Sequence, residues 1–131
     1  MLTVVRSGAG GPAGLSTGPY TGEIWRDMLH TDETGNAIGT VFFTPCARTF
    51  WHTHPGGQLL IIVSGEGIVS DEEETVRVHP GDLVWTPPQA RHWHGATATR
   101  SMMHIAVTFG GVDWAEEVAQ DVYEAGLTAA Q

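Results

Sequence analysis

From Thr40 to Phe109 the sequence breaks into short segments rich in β-branched and aromatic residues, at 40–44, 49–54, 58–64, 67–70, 75–79, 83–86, 92–96 and 102–109. Turn chemistry separates them: Pro55-Gly56-Gly57, Ser64-Gly65, the acidic stretch 71–74, Pro80-Gly81-Asp82 and Pro87-Pro88. The 17 glycines and 7 prolines of the chain are concentrated in such breaks and in the N-terminal segment. Closely spaced short strands of this kind predict an all-β sandwich or barrel. The 131 residues suit one domain with its own core. Residues 1–22, rich in Gly, Ser, Thr and Pro over 7–22, read as an extended arm, and 23–131 as the barrel. A first short strand is expected at 24–29 and a turn at 31–39. At 113–124, Trp114, Val118 and Val122 recur at i, i+4 and i+8, which predicts one C-terminal amphipathic helix with an acidic, solvated face.

The charge balance excludes several functions. The formal net charge is −9, and the only strong cations are six scattered arginines, with no lysine. A nucleic-acid binder concentrates basic residues on one face, and an anionic membrane surface selects the same feature; neither partner is expected. Absence of lysine removes Schiff-base and lysine-base chemistry. Cys46 is the sole cysteine, so no intrachain disulfide is possible, and it reads as a small buried residue. No apolar run approaches the length of a membrane helix. A soluble, cytoplasmic protein is the default expectation.

Four of the seven histidines fall in two short segments, Trp51-His52-Thr53-His54 and Arg91-His92-Trp93-His94. On a strand, residues two apart share a face, so His52 and His54 can converge on one ion. The Pro55-Gly56-Gly57 turn can bring Gln58 to the same face, and a histidine from the second segment would complete three nitrogens and one amide oxygen around a divalent metal.

The segment from His52-Thr53-His54 through Gln58 to Gly65 resembles the first motif of the cupin family, His-x-His-x3-Glu-x6-Gly. Residues 81–92, with Gly81, Pro87 and His92, resemble the second, Gly-x5-Pro-x-Gly-x2-His. The resemblance implies a single cupin barrel (a double-stranded β-helix, jelly-roll-like) carrying a short C-terminal helix, with His52, His54, Gln58 and His92 as metal ligands. Three positions depart from the pattern: Gln58 replaces Glu, Gln89 replaces Gly, and Ala96 stands where Asn is frequent. The neutral Gln58 leaves a divalent ion its full charge, which favours Lewis-acid chemistry.

A narrower likeness runs over residues 40–118, carried by 47–54, Gly57-Gln58, 79–85, 92–96, 103–106 and 112–114. These stretches resemble small bacterial cupins that include the manganese-dependent (R)-selective hydroxynitrile lyases. The resemblance implies reversible cleavage of a cyanohydrin to an aldehyde and hydrogen cyanide. One divalent ion per chain is implied, with manganese favoured; iron, zinc, nickel and cobalt suit the same ligand set. His94, two residues from His92, is the first candidate for the base, and His104 the second. Phe42, Leu60, Trp93 and Met102 are expected to hold an aromatic substrate, with Ala106 and Thr108 on the strand face shared by Met102 and His104. Two other readings of the cage stay open: an iron-dependent cupin dioxygenase and a non-catalytic small-ligand-binding module. Exposed strand edges need protection, so a homodimer or homotetramer is expected, with the 7–22 arm available to pair with a partner's sheet.

Overall fold

The computed structural model describes residues 1–6 and 13–130. In chain order the strands are β1 (Gly14–Leu15), β2 (Tyr20–Thr21), β3 (Ile24–Thr31), β4 (Ala37–Phe43), β5 (Arg48–Thr49), β6 (His52–Thr53) and β7 (Gln58–Gly65). They continue as β8 (Gly67–Asp71), β9 (Thr75–Val78), β10 (Leu83–Thr86), β11 (His92–Ala96), β12 (Met102–Thr108) and β13 (Asp113–Trp114), before helix α1 (Gln120–Ala129). One sheet has the order β1-β3-β4-β12-β7-β10; the second has β13-β6-β11-β5-β2, with β8 also on β11 and β9 on β8. Non-consecutive neighbours such as β4-β12-β7 and β6-β11-β8 are the interleaving that makes a double-stranded β-helix rather than a chain of hairpins.

Alternation assigns each side chain to the barrel interior or its outside. Inward residues of the first sheet align in rows: Ile24 with Phe43 and Met102, then Arg26 with Val41 and His104, then Met28 with Gly39 and Ala106. The first row joins Leu60, Ile62, Val78 and Ala96 in a closed apolar cluster that fills one end of the barrel. The lower rows leave the other end to the histidines. The glycine of the first motif has a steric reason. Gly65 turns β7 into β8 at φ 77, and a Cβ there would strike the carbonyl oxygen of Ser101. Gln89, where the second motif has Gly, also sits at a positive φ of 64; the position needs the left-handed region whichever residue fills it.

The C-terminal helix lies later than its periodicity suggests. Asp113–Trp114 forms β13 on Thr53 and His52, and the pairing continues through Trp51 N–H to the Glu116 carbonyl at 3.0 Å. These residues find backbone partners on a strand edge, which outweighs their helical spacing. The helix starts only at Gln120 and buries Tyr123 and Gly126, while Val122, expected on the buried face, is exposed. Arg48, itself buried, fixes its approach by donating to the Val118 carbonyl at 3.0 Å, with its guanidinium 4.4 Å from the Tyr123 ring.

The N-terminal arm also behaves differently where it is described. β1 pairs with β3 and β2 with β5, so both short strands use sheets of their own chain; the part of the arm at 7–12 lies outside the described residues. Cys46 is exposed rather than buried, at φ 72, with its thiol 3.7 Å from the Ala98 carbonyl. No described helix is long and apolar enough to cross a membrane.

Candidate metal centre

His52 on β6 and His92 on β11 are direct cross-strand partners, with ring centroids 4.2 Å apart. His54, two residues beyond His52, enters the same face 4.9 Å from its ring. The ligand atoms of the three imidazoles all lie within 4.8 Å of one another. What makes the cluster fit a metal is the state of its nitrogens. Each Nδ1–H donates to a backbone carbonyl: His52 to Phe50 at 2.8 Å, His54 to Gly111 at 2.8 Å and His92 to Ala90 at 3.0 Å. That fixes the tautomer and leaves three Nε2 lone pairs directed inward.

Gln58 completes the set. Its Nε2 donates to Thr108 Oγ1 at 3.0 Å, which orients the amide so that Oε1 lies 3.3 Å from His92 Nε2. Two lone pairs facing each other at this distance repel unless a cation sits among them. The Nε2 atom of His54 is buried and has no protein partner, as a ligand atom facing an ion would be. These residues therefore fit the divalent ion implied by the motifs, in a neutral set of three nitrogens and one oxygen.

Burial governs protonation. Desolvation first, then the neighbouring His92, holds His52 well below the ordinary histidine value. Burial lowers His92 to about 4 and also lowers His54. Burial thus favours the neutral form of all three, which is the form that binds a metal. The sign of the stability effect follows. Below the unfolded value near 6.5 the unfolded chain binds more protons than the folded one, so metal-free protein loses stability as pH falls from 6.5 towards 4. At 1.36 kcal/mol per unit, His92 alone accounts for about 3 kcal/mol across that window. Thermal melts of metal-free protein between pH 7.5 and 4.5 are expected to be flat above 6.5 and to fall below it. A flat profile throughout would show that these histidines are not buried as neutral groups.

Beside the cluster, His94 and His104 form a second unit. His94 Nδ1 and His104 Nε2 lie 3.0 Å apart, and the Phe43 ring packs against both imidazoles. Burial lowers His104 to about 3 and, with the facing His104, holds His94 well below its ordinary range. The remaining His94 nitrogen, Nε2, is buried without a partner. Both rings, His52, His54 and Gln58 line one cavity of about 150 Å³. Its other walls are mainly apolar, including Met28, Val41, Val112 and Trp114.

Of the residues expected to hold substrate, Ala106 and Thr108 line this cavity, while Phe42, Leu60, Trp93 and Met102 do not. Leu60 and Met102 face inward but belong to the closed apolar end. Trp93 alternates with His92 and His94 and so points outward, where α1 covers it through Tyr123. Phe42 alternates with the inward Val41 and Phe43 and lies on the outside of its sheet. The structure supplies instead Val41, whose inward facing is set by the pairing of β4 with β3, and Trp114, concealed by its helical spacing. The Trp114 ring lies 4.7 Å from His52 and meets Tyr20 edge-on at 5.5 Å.

A cupin domain is matched over residues 39–108, and the chain belongs to the cupin family. Among curated proteins it is 42% identical over 111 residues to an (R)-mandelonitrile lyase from Granulicella tundricola, covering 79% of this chain and 85% of the relative. Among solved structures, a cupin-like protein from Thermotoga maritima superposes with TM-score 0.83 at 32% identity, covering 92% of this chain and 95% of the other. A polyketide cyclase from Streptomyces resistomycificus, at 16% identity and TM-score 0.73 over the whole of both chains, shares the fold alone.

Proposed function

We propose that this chain is a metal-dependent lyase that cleaves and forms cyanohydrins. The observation that carries the reading is one cavity lined by two different sets of groups: His52, His54 and Gln58 of the three-imidazole cluster, and the paired imidazoles His94 and His104, with a free nitrogen on His94. The similarity to an (R)-mandelonitrile lyase supports the choice of reaction.

His52, His54, Gln58 and His92 would hold a divalent ion, which when bound would supply Lewis-acid stabilisation of developing negative charge. In the protein, His94 Nε2 accepts the substrate hydroxyl proton. The bond to the nitrile carbon then breaks, its electron pair leaves with cyanide, and the carbonyl double bond forms. The proton returns from His94 to give hydrogen cyanide. For His94 to act this way its Nδ1–H must donate to His104, which makes His104 a positioning residue. The Met28, Val41, Val112 and Trp114 walls exclude water and suit an apolar substituent; a cavity of about 150 Å³ lined by apolar groups is large enough for a benzene ring.

The test is mandelonitrile cleavage in mildly acidic buffer, where the spontaneous reaction is slow, with benzaldehyde release and enantiomer consumption followed together. Manganese-loaded protein is expected to consume one enantiomer faster than background, and chelated protein to fall to background and recover on reloading. Metal bound at one per chain with no release above background would remove the lyase reading. Oxygen uptake by iron-loaded protein would then point to a dioxygenase.

A further inference from the structure

We infer that Arg26 and Tyr20 form an anion-receiving end of the histidine cavity, and that the substrate class is an aldehyde, or its cyanohydrin, that carries a carboxylate. The reacting group rests on the lyase reading; the carboxylate rests on the cavity alone. Arg26, Val41 and His104 form one inward row of the first sheet, and all three line the cavity. Two strand spacings, about 10 Å, separate the arginine from the histidine. The row on one side is Ile24, Phe43 and Met102, and the row on the other is Met28, Gly39 and Ala106. Both are free of charge, so packing alone gives no reason for a guanidinium between them.

No protein group neutralises it. The chain has 15 acidic residues against six arginines; Arg77 pairs with Glu66 and Arg91 with Glu116, and the buried Arg48 donates to the Cys46 and Val118 carbonyls. Arg26 has no carboxylate within 4.0 Å among the described residues, and its neighbour Asp27 alternates to the outside of the sheet. Instead, the guanidinium carbon lies 5.8 Å from the centre of the Tyr20 ring. An aromatic neighbour of this kind orients the planar fork and leaves its N–H groups unspent. Tyr20 is itself held: its backbone pairs with Thr49, and its ring meets Trp114 edge-on at 5.5 Å. Burial raises the Tyr20 hydroxyl above its ordinary value, with Arg26 opposing in part, so the phenol keeps its proton and stays a donor.

Donors without an acceptor select the ligand. A guanidinium fork beside a phenol O–H matches the two oxygens of a carboxylate, and such charge-assisted hydrogen bonds are about twice as strong as neutral ones. One cation in a chain of net charge −9 suits a monoanion and disfavours a dianion such as phosphate. Arg26 is exposed, which puts it at the mouth, where a bound carboxylate keeps part of its hydration and a local positive charge draws anions towards the cavity. The rest of the ligand follows from the remaining walls. Val41, Met28 and Trp114 take an apolar body such as a ring, and the reacting carbon comes to His94 and the three-imidazole cluster at the other side.

The experiment is titration calorimetry of manganese-loaded protein with 4-formylbenzoate and its neutral isostere 4-formylbenzamide. The wild type is expected to bind the carboxylate at least about tenfold more tightly, a threshold equivalent to about 1.4 kcal/mol. That preference is expected to disappear in Arg26→Gln, to survive in part in Arg26→Lys and to shrink in Tyr20→Phe. Arg100→Gln, which makes the same change in net charge at an exposed residue off the cavity, is expected to keep it. Added salt should weaken the carboxylate and spare the amide. Far-UV circular dichroism and metal content confirm that the exposed Arg26 position tolerates both replacements. Equal affinities in the wild type, or no binding of either aldehyde, would overturn the inference. So would a preference that survives Arg26→Gln and is lost on chelation, because the carboxylate would then sit on the metal. Binding is read without turnover, so the two readings fail separately: absence of cyanohydrin cleavage removes the lyase, and equal affinities remove the anion-receiving end.

Discussion

Replacing His92 by alanine is expected to abolish metal binding and catalysis together. The residue is central to the cage: it is cross-strand partner of His52 and lies 3.3 Å, nitrogen to oxygen, from Gln58. Its Nδ1 is committed to the Ala90 carbonyl, so its contribution to the site is a single inward nitrogen that no neighbour can replace. Loss of a supporting hydrogen bond around a metal ligand costs about 10–100-fold in affinity. Loss of the ligand itself is expected to exceed this, and turnover falls to the spontaneous rate. Two readouts besides activity separate metal loss from misfolding. Metal per chain is expected to drop from one to near zero. The wild type is stabilised by added metal by RT ln(1 + [L]/Kd), about 2.7 kcal/mol at 100 times Kd, whereas the variant's melting temperature should not respond. His79→Ala is the control, because His79 is a surface residue paired with Glu66 at 3.0 Å and its removal should leave metal intact. A His92→Ala protein that retained one tight metal would remove His92 from the ligand set.

The site is more legible in the sequence than the pocket around it, for a physical reason. The candidate ligands are spaced by the two-residue period of a strand and framed by turns, so His52, His54 and Gln58 reach one place through local geometry. The turn glycine Gly65 is local in its φ of 77, while the Ser101 carbonyl that also forbids a side chain there comes from a distant segment. The cavity wall depends on registers between distant strands. Val41-Phe42-Phe43 is apolar throughout and carries no alternation. Only the pairing of Ile24 with Phe43 settles that Phe42 faces outward. The β12 face is a mixed case. Met102, His104, Ala106 and Thr108 do share a parity, but the barrel is long enough to have two zones, and Met102 falls in the closed one. Trp114 shows a third kind of loss: its spacing with Val118 and Val122 is helical, yet the open edge of β6 offers its backbone hydrogen bonds that the pattern does not record.

Replacing His94 by alanine is expected to do the reverse of His92→Ala: one metal per chain is retained, while kcat falls by about 100- to 10,000-fold, the range associated with a positioned acid–base group. His94 shares the cavity but contributes no atom to the three-imidazole cluster, so the metal-dependent rise in melting temperature should survive. Its partner permits a finer test. In the productive tautomer His94 Nδ1–H donates to His104 Nε2 across 3.0 Å, and the imidazolium formed when Nε2 takes a proton keeps that bond in a buried, apolar setting. His104→Leu preserves apolar volume and removes the acceptor, leaving a buried N–H unsatisfied; such a group costs about 1–3 kcal/mol, or roughly 5- to 150-fold in rate. His104→Gln restores an acceptor oxygen and should recover part of the loss. The pH profiles separate the roles. A base contributes an acidic limb to kcat/KM; that limb should vanish in His94→Ala and move in His104→Leu. If His94→Ala loses its metal, the residue supports the cage. If it keeps both metal and rate, the proton acceptor lies elsewhere in the cavity, and with His104 the only other non-ligand histidine lining it, His104→Leu must then abolish turnover.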